Sequence, residues 1–527
     1  MPLFSYIGKR LEQLCSCSCF CRFTWFHLRG NRFSLELFYF LFISSLGFLV
    51  LHSLDTNSNT FIPKNLDLFF MSVSAATVSS MSTIEMEVFS NSQLVILTIL
   101  MFIGGEVFLS MIALYIRKFF LKVSPKDGNK LDPSISYINK QSCFEDNMEL
   151  NYITISDLKS SKANSFCCET VSTSSDVDME DLKYKSFKFL CLVVFLYLVL
   201  VQFLGVVSVL IYLNVISSAK NVLKQKGLNA LIFSIFTIVS TFANCGFVPT
   251  KENMIPFIKN SGLLLILIPQ VLLGNTLYPP FLRFSIWVIG KFTNKAETSY
   301  LLKNSKLVGY HHLLSYIHSS LLVITVLAII LVQFVLFSSM EWNSVSLEGL
   351  NVYQKFVGSL FQTVNTRHTG ESIVDLSTVS AAVLVLFVVM MYLPPYTTFL
   401  PIAEESCEQG SKISSKVKEN LIFSQLSYLT IFIILVCITE RKHMVKDPLN
   451  FNVLNIVIEV ISAYGNVGFS TGYSCDRRLY RDGNCENKWY GFSGKWSDQG
   501  KLVLIVVMIF GRLKKFNLNG GKAWKLL

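Results

Sequence analysis

Eight long apolar runs constrain this chain more than any other feature of its sequence. They lie near residues 35–52, 93–116, 187–213, 262–290, 313–337, 378–400, 421–438 and 500–513. A helix needs about 20 apolar residues to cross the hydrocarbon core of a bilayer, and each run reaches or approaches that length. Only 15% of the residues are charged, against roughly a quarter in soluble domains. The pattern predicts an all-α membrane protein with eight spanning helices.

The distribution of basic residues predicts how the chain is oriented. Between the first two runs, Lys64 is the only Lys or Arg residue. Before the first run lie Lys9, Arg10, Arg22, Arg29 and Arg32. Because Lys and Arg concentrate in cytoplasmic loops, eight spans place both termini in the cytoplasm. The same rule explains the net charge of +11 better than nucleic-acid binding does. The first run lacks a small-residue cleavage site, so we interpret it as a membrane helix and not a signal peptide.

Four stretches of small and β-branched residues interrupt alternate connections between the runs. They read VSAATVSSM at 73–81, VSTFANCGF at 239–247, TVNTRHTGE at 363–371 and ISAYGNVGF at 461–469. Aligned at their eighth residue, they place in one column Ser80, Gly246, Gly370 and Gly468. A short apolar segment precedes each stretch. The pattern predicts four repeats, each made of a helix, a short re-entrant helix, a loop and a second helix.

These repeats divide the chain into segments. The predicted repeats A, B, C and D occupy 35–116, 187–290, 313–400 and 421–513. The polar segments around them are predicted to be cytosolic, and they are 1–34, 117–186, 291–312, 401–420 and 514–527. Segment 117–186 is rich in Ser, Lys, Asp and Glu, so we predict that it is a mobile linker.

The chemistry of non-helical backbone inside a membrane indicates a cation pathway. Unpaired N–H and C=O groups cannot face lipid, so such backbone must be buried or line a wet cavity. Four such loops around one axis can offer carbonyl oxygens in place of the water around a cation. Glycine reaches positive φ without a Cβ clash, and each short helix directs the negative end of its dipole at the ion.

No motif for a different kind of chemistry stands out. The seven His residues are scattered, and the sequence has no H-E-x-x-H, G-x-S-x-G or Walker motif. We therefore predict that the chain is not an enzyme and uses no cofactor. Without an ATP site, transport must follow an electrochemical gradient.

Longer motifs around the four stretches closely resemble the plant HKT transporters of the Trk/Ktr/HKT superfamily. They include STFANCGFVPTKENM, LLGNTLYPPFLR, FQTVNTRHTGESIVDLS, MMYLPPYT and EVISAYGNVGFSTGYSC. The resemblance implies four M1–pore-loop–M2 repeats around one pseudo-four-fold pore for alkali cations. It also implies a plasma-membrane location and a homodimer with one pore per subunit.

The resemblance also implies which residues select the ion. The filter positions, whose backbone carbonyls would coordinate Na⁺, are Ser80, Gly246, Gly370 and Gly468. The residues that flank them are Val78, Ser79, Asn244, Cys245, His368, Thr369, Asn466 and Val467.

Serine at the first filter position resembles the Na⁺-selective subfamily 1 of HKT transporters, whereas four glycines resemble K⁺-permeable members. Ser80 either keeps a positive φ, at a cost of about 1–2 kcal/mol, or adopts another conformation that redirects its carbonyl. Both routes disfavour a K⁺-sized cage. We predict passive, channel-like Na⁺ uniport, with a role in Na⁺ homeostasis and salt tolerance as the family implies. Na⁺–K⁺ symport, or K⁺ permeation, is the alternative.

Several charged residues near the predicted path leave two interpretations open. Glu85 and Glu87 could concentrate cations at the outer mouth, or could be solvated loop carboxylates. Arg367 is expected to turn away from the axis, toward carbonyls or a carboxylate such as Glu371. Arg512 is either a cytosolic anchor or a positive charge beneath the pore that limits conductance.

The cysteines fall into two groups of interest. Cys475 and Cys485 are expected on the oxidising side, where a disulfide is the prediction and two free thiols the alternative. The alternating group near the N-terminus does not match a zinc-site spacing. Its members are either palmitoylated or part of an unmodified tail, and they are Cys15, Cys17, Cys19 and Cys21.

Overall fold

The chain is helical throughout the part that the structure describes. This computed structural model describes residues 32–56, 63–123, 173–396, 425–478, 485, 487–488 and 491–517. Within these ranges the β-type pairing is an isolated bridge between Tyr473 and Lys488, so the all-α prediction is confirmed. The four N-terminal cysteines, the linker 401–420 and the end of the C-terminal segment lie outside the described residues.

The first half of the chain forms nine helices within the described ranges. They are α1 (Arg32–Ser53), α2 (Asn65–Ala76), α3 (Asn91–Gly104), α4 (Glu106–Val123), α5 (Thr173–Val215), α6 (Ser217–Gln225), α7 (Ala230–Ala243), α8 (Ser261–Leu273) and α9 (Tyr278–Thr293). Helix α5 begins at Thr173 and α4 ends at Val123. Both helices therefore extend into the predicted cytosolic segment 117–186, whose bounds stay a prediction.

The second half of the described chain continues with nine further α-helices of varied length. They are α10 (Ala296–Lys303), α11 (Ser305–Val308), α12 (Tyr316–Glu341), α13 (Val352–Asn365), α14 (Ala381–Tyr392), α15 (Gln425–Thr439), α16 (Arg441–Lys446), α17 (Val453–Gly465) and α18 (Asp498–Asn517).

Side-chain caps fix where three of the short helices begin. Asn229 accepts hydrogen bonds from the N–H groups of Leu231 and Ile232 at the start of α7. Asn351 forms a reciprocal capping box with Gln354 at the start of α13, and Asn452 caps α17. Asparagine is among the best N-cap residues because its side-chain oxygen accepts from otherwise unpaired N–H groups. These caps define the first turns of α7, α13 and α17.

Several of the predicted spans are bent or short. Helices α3 and α4 meet at 56°, with Gly105 between them, and α8 and α9 meet at 85°. Helix α14 ends at Tyr392, just before Leu393 and two prolines, because proline cannot continue a helix. The predicted runs 93–116, 262–290 and 378–400 are therefore not continuous helices.

By length and composition, three helices in the described ranges are able to cross a membrane, and up to six are if each bent pair counts as one. The three are α1 over Ser34–Ser53, α5 over Asp181–Val215, and α12. Helices α14 and α15 have only 12 and 15 residues. The count of eight spans thus remains a prediction.

Four short helices precede the four predicted filter loops, namely α2, α7, α13 and α17, and their loop-side ends are buried in the molecule. Every residue from Phe70 to Ala76 in α2 is buried, as is every residue from Phe236 to Ala243 in α7. The long helices instead turn large apolar side chains outward, including Phe38, Leu49, Phe203 and Leu331. Small and polar residues are thus enclosed by an apolar exterior, as expected for a protein surrounded by lipid.

Candidate ion-selectivity site

Each of the four short helices ends just before one residue of the predicted filter. All four of these residues are buried and have positive φ, of 54° at Ser80, 88° at Gly246, 70° at Gly370 and 100° at Gly468. Only glycine enters this left-handed region without a steric penalty. The shared conformation explains the three glycines and makes Ser80 the exception.

Three of the loops leave their helix by the same turn. The residue two positions before the filter residue also has positive φ, at Val78, Asn244 and Asn466. The next backbone N–H then reaches back five residues, from Ser79 to Ser74, from Cys245 to Ser240, and from Val467 to Ser462, at 2.9–3.0 Å. This is the hydrogen bond of a Schellman turn.

The third loop leaves its helix differently. His368, at the equivalent position, is not among the residues with positive φ. Its N–H and that of Gly370 both donate to the carbonyl of Asn365, each at 3.1 Å. The loop after α13 therefore lacks the helix-ending turn that fixes the other three.

The four loops touch one another in chain order. A Cβ placed on Gly246 would overlap the carbonyl oxygen of Thr369, and one on Gly370 would overlap that of Val467. A Cβ on Gly468 would overlap the side chain of Ser80. Backbone therefore approaches backbone closely at the first two junctions and a side chain at the third, and these glycine positions cannot accept a side chain without displacing a neighbour.

Side chains also link the loops across long sequence separations. Asn466 Nδ2 donates to Ser79 Oγ at 2.7 Å, which joins the fourth loop to the first. Thr241 Oγ1 donates to Glu371 Oε1 at 2.5 Å, and Thr276 Oγ1 lies 2.9 Å from His368 Nε2. Both of the latter pairs join the second repeat to the third loop. Thr241 and Thr276 were missed by sequence reasoning, although the acid directly after Gly370 signalled that a buried partner was needed.

Arg367 turns toward backbone carbonyls. Its Nη2 donates to the carbonyl of Pro394 and, at 3.2 Å, to that of Pro395, where the chain leaves α14. The expected turn toward carbonyls is thus observed. Glu371 is not its partner, because that carboxylate accepts from Thr241.

The acidic residues predicted to lie at the outer mouth are paired with lysines. Glu85 Oε1 lies 3.4 Å from Lys251 Nζ and 3.6 Å from Lys488 Nζ. Glu87 Oε1 lies 2.9 Å from Lys226 Nζ. Glu85 and Glu87 are therefore ion-paired and not simply solvated carboxylates, and their effect on cations at the mouth stays a prediction.

Lys226 sits between two carboxylates, because Glu252 also contacts its Nζ, at 2.7 Å. Burial lowers the pKa of Lys226, but hydrogen bonds from its ammonium group to Glu252 and Glu87 outweigh burial and raise the pKa above its usual value. The mouth is thus a network of fixed charges of both signs. Beside it, Gly370 and Gly468 help to line a small, partly open pocket that is also lined by Glu252 and Asp375.

Arg512 is buried inside the protein. Only 2% of it is exposed, and its Nη2 donates to the carbonyl of Gly104 at 2.5 Å. A Cβ on Gly104 would overlap the carbonyl of Ala76, the last residue of α2. Arg512 therefore lies next to the helix end that precedes the first predicted filter loop, and its burial argues against the interpretation of it as a cytosolic anchor.

Cys475 and Cys485 form a disulfide in the connection between α17 and α18. Three further cysteines in the described ranges are free thiols, namely Cys191, Cys245 and Cys437. Cys245 directly precedes Gly246 in the second filter loop and is fully buried.

Comparison with known proteins assigns the family. A family model described as TrkH, cation transport protein, matches residues 148–400 and 407–518. The chain belongs to the TrkH family of cation transport proteins. This membership confirms the predictions of a cation transporter and of a protein that is not an enzyme.

Within the TrkH family, the chain also belongs with the plant HKT transporters, as its motifs predicted. Sodium transporter HKT1 of Arabidopsis thaliana is 51% identical over 472 residues, which cover 88% of this chain and 89% of that protein. Cation transporter HKT1;3 of Oryza sativa is 46% identical over 511 residues, covering 95% and 92%. Cation transporter HKT2;4 of the same species is 37% identical over 521 residues, covering 97% of each.

A solved structure of the potassium transporter TrkH from Vibrio parahaemolyticus also matches this TrkH-family chain. The TM-score is 0.47 at 14% sequence identity, and the match covers 93% of this chain and 84% of that chain.

Proposed function

We propose that this chain is a passive, Na⁺-selective transporter with one pathway through the four filter loops. The backbone carbonyls at Ser80, Gly246, Gly370 and Gly468 would replace the water around the ion. The observation that carries the proposal is the shared positive φ of these four buried residues, together with the chain-order contacts between their loops. Ordinary connecting loops have no reason to share a conformation and a meeting point.

Four repeats of a helix, a short helix, a filter loop and a helix would surround that pathway. The first repeat would comprise α1 to α4, the second α5 to α9, the third α12 to α14 and the fourth α15 to α18, which follows the predicted boundaries at 35–116, 187–290, 313–400 and 421–513. Bent spans such as α8 and α9 remain compatible with this layout, because non-helical backbone is tolerated at membrane depth where protein covers it.

The preference for Na⁺ over K⁺ is proposed to come from Ser80. With φ at 54°, it follows the first of the two routes, holding a strained conformation at a cost of about 1–2 kcal/mol. Its side chain also fills the space beside Gly468. We infer that this contact prevents the ring from expanding around the larger K⁺. The name sodium transporter, given to the relative from Arabidopsis thaliana, supports the same ion.

The setting of the protein is also part of the proposal. The bias of basic residues toward the N-terminal segment supports cytoplasmic termini, and the disulfide between Cys475 and Cys485 supports an outside location for that loop. We further propose the plasma membrane, and a homodimer with one pore per subunit, from the family resemblance. Na⁺ is then a substrate, and no cofactor is required.

Ion-substitution recording in a heterologous cell tests the proposal. Under voltage clamp, the reversal potential of the expressed current should follow external Na⁺ and respond little to external K⁺. Cells expressing Gly246→Arg, whose side chain would block the ring, supply the baseline. Equal responses to Na⁺ and K⁺ would contradict Na⁺ selectivity, whereas Na⁺ current that requires K⁺ would establish symport instead.

A further inference from the structure

We propose that Glu371 and Thr241 together position the third filter loop and thereby set the Na⁺ preference of the ring. Glu371 directly follows Gly370 and is 0% exposed. Its Oε1 accepts the hydrogen bond from Thr241 Oγ1, whereas its Oε2 has no hydrogen-bond partner among the described residues. The inference rests on the proposed function, because it concerns the same filter.

The bond joins two parts of the molecule that are 130 residues apart. Thr241 lies in the last turn of α7, three residues before the turn residue Asn244 that opens the second loop. Glu371 lies on the outgoing side of the third loop. The bond therefore connects the end of one short helix to the backbone directly after the next filter residue.

The third loop is held differently from its three counterparts. Loops one, two and four are fixed by the turn with positive φ at Val78, Asn244 and Asn466. The third loop lacks that turn at His368 and is held on its own side by two backbone N–H groups that donate to the Asn365 carbonyl. Hydrogen bonds from other elements add to this constraint.

Repeat B supplies these bonds on both sides of Gly370. Before it, His368 contacts Thr276 at 2.9 Å. After it, Glu371 contacts Thr241, and Ser372 accepts at its carbonyl from the N–H of Met254 at 3.0 Å. The missing Cβ of Gly246 lets the second loop approach the Thr369 carbonyl, so a shift of the third loop would move carbonyls that face the ion.

The contact of Glu371 is the strongest argument for a positioning role, because burying its carboxyl group lowers the stability of the folded protein. A buried carboxyl group with a single hydrogen-bond donor is unfavourable for folding. A plain apolar residue would pack there at lower cost, so stability alone does not account for it. A role in holding the third loop at a defined distance from α7 explains why a carboxyl group is found there.

Thr241→Val tests the inference, because it removes the hydroxyl donor and keeps the volume. We expect the permeability ratio of Na⁺ to K⁺ to fall about two- to tenfold, the range that corresponds to one lost hydrogen bond. Thr241→Ser keeps the donor and should keep the ratio. Current is scaled to surface protein, so poor folding alone would lower expression without changing the ratio.

Thr237→Val is the matched control. Thr237 lies one turn earlier in α7, is equally buried, and its hydroxyl has no hydrogen-bond partner in the described part of the chain. The same substitution there should leave the ratio unchanged. If Thr237→Val lowered the permeability ratio of Na⁺ to K⁺ as much as Thr241→Val does, the inference would be overturned.

Glu371 is tested by two further variants. Glu371→Gln keeps an oxygen acceptor for Thr241 and should retain most of the selectivity, whereas Glu371→Ala should lower it as Thr241→Val does. The double variant Thr241→Val/Glu371→Ala should have the same permeability ratio of Na⁺ to K⁺ as either single variant, since both changes remove the same hydrogen bond. Additive losses would overturn the inference.

The two proposals fail in distinguishable ways. A wild-type protein without Na⁺ selectivity refutes the proposed function. A selective wild-type protein whose Thr241→Val variant is equally selective refutes only the positioning role.

Discussion

Ser80 and Gly468 lie side by side where the first filter loop meets the fourth, and a Cβ on Gly468 would overlap the side chain of Ser80. Only one of the two positions can therefore carry a side chain. The serine occupies the shared space, and glycine opposite it is the consequence. The two residues are 388 positions apart in the sequence, yet their identities depend on each other.

Ser80→Gly should raise K⁺ permeation relative to Na⁺. The change removes the strain of positive φ and empties the space beside Gly468, so the ring can widen. Reversal potentials with Na⁺ and K⁺ exchanged measure the ratio. Ser80→Ala keeps the Cβ and should remain closer to the wild type; an unchanged ratio in Ser80→Gly would refute the role of this residue.

Gly246→Ala should abolish or severely reduce the current. The new Cβ would meet the Thr369 carbonyl, and the backbone at φ of 88° disfavours any side chain. Gly349→Ala is the control, because Gly349 also has positive φ, of 74°, but nothing lies within 4 Å of its Cβ position. Current scaled to surface protein should survive in the control; survival in both variants would argue that Gly246 does not line the ring.

Arg512→Gln should increase current per protein and change the shape of the current–voltage curve. The variant removes a positive charge buried beside the end of α2, while its amide can still donate to the Gly104 carbonyl. Removing a like charge near a cation path lowers the barrier for the cation.

Arg283→Gln is the comparison for that experiment. Arg283 also donates to two backbone carbonyls, those of Leu314 and Leu302, but it lies in α9, away from the filter loops. We expect its current–voltage curve to keep the wild-type shape. If Arg512→Gln also keeps the wild-type shape of the current–voltage curve, the buried charge of Arg512 does not set a barrier to cation passage.

Lys251→Met should increase inward Na⁺ current about twofold at low ionic strength, since it removes the nearer of the two lysines beside Glu85 and makes the mouth more negative. The effect should fade in high salt, because screening shortens from about 30 Å at 0.01 M to about 10 Å at 0.1 M. The exposed Lys295, in the predicted cytosolic segment, gives the control variant Lys295→Met. A gain that does not depend on salt would point to a structural cause.

Cys475→Ser should lower the thermal stability of the purified protein. A disulfide typically stabilises by about 2–4 kcal/mol through its effect on the unfolded chain, although this one closes a short loop with a separation of 10. Melting temperatures with and without reductant measure the effect, and Cys437→Ser, which changes a free thiol, is the control. Reductant should lower the melting temperature of the wild type and leave that of Cys475→Ser unchanged. Equal melting temperatures of the oxidised wild type and Cys475→Ser would contradict the prediction.

The helical architecture was predictable because it depends on local patterns. Long apolar runs predicted helices, Asn residues capped three of the short ones, and the alignment of four stretches brought out Ser80 against three glycines. The bends between α3 and α4 and between α8 and α9 were not predicted. Local signals for them exist, since two glycines stand at the first break and the sequence GNTLYPP spans the second, but the bend angles depend on packing against neighbouring helices.

The sequence by itself determined the class of protein, the four loops and the position that differs among them, since each of these is written within a few dozen consecutive residues. The tertiary structure alone decided which charges and polar groups meet. Arg512 finds its carbonyl 408 residues away, and Glu371 finds Thr241 across 130. A buried polar group must be paired wherever the fold brings a partner, and no local pattern specifies that partner.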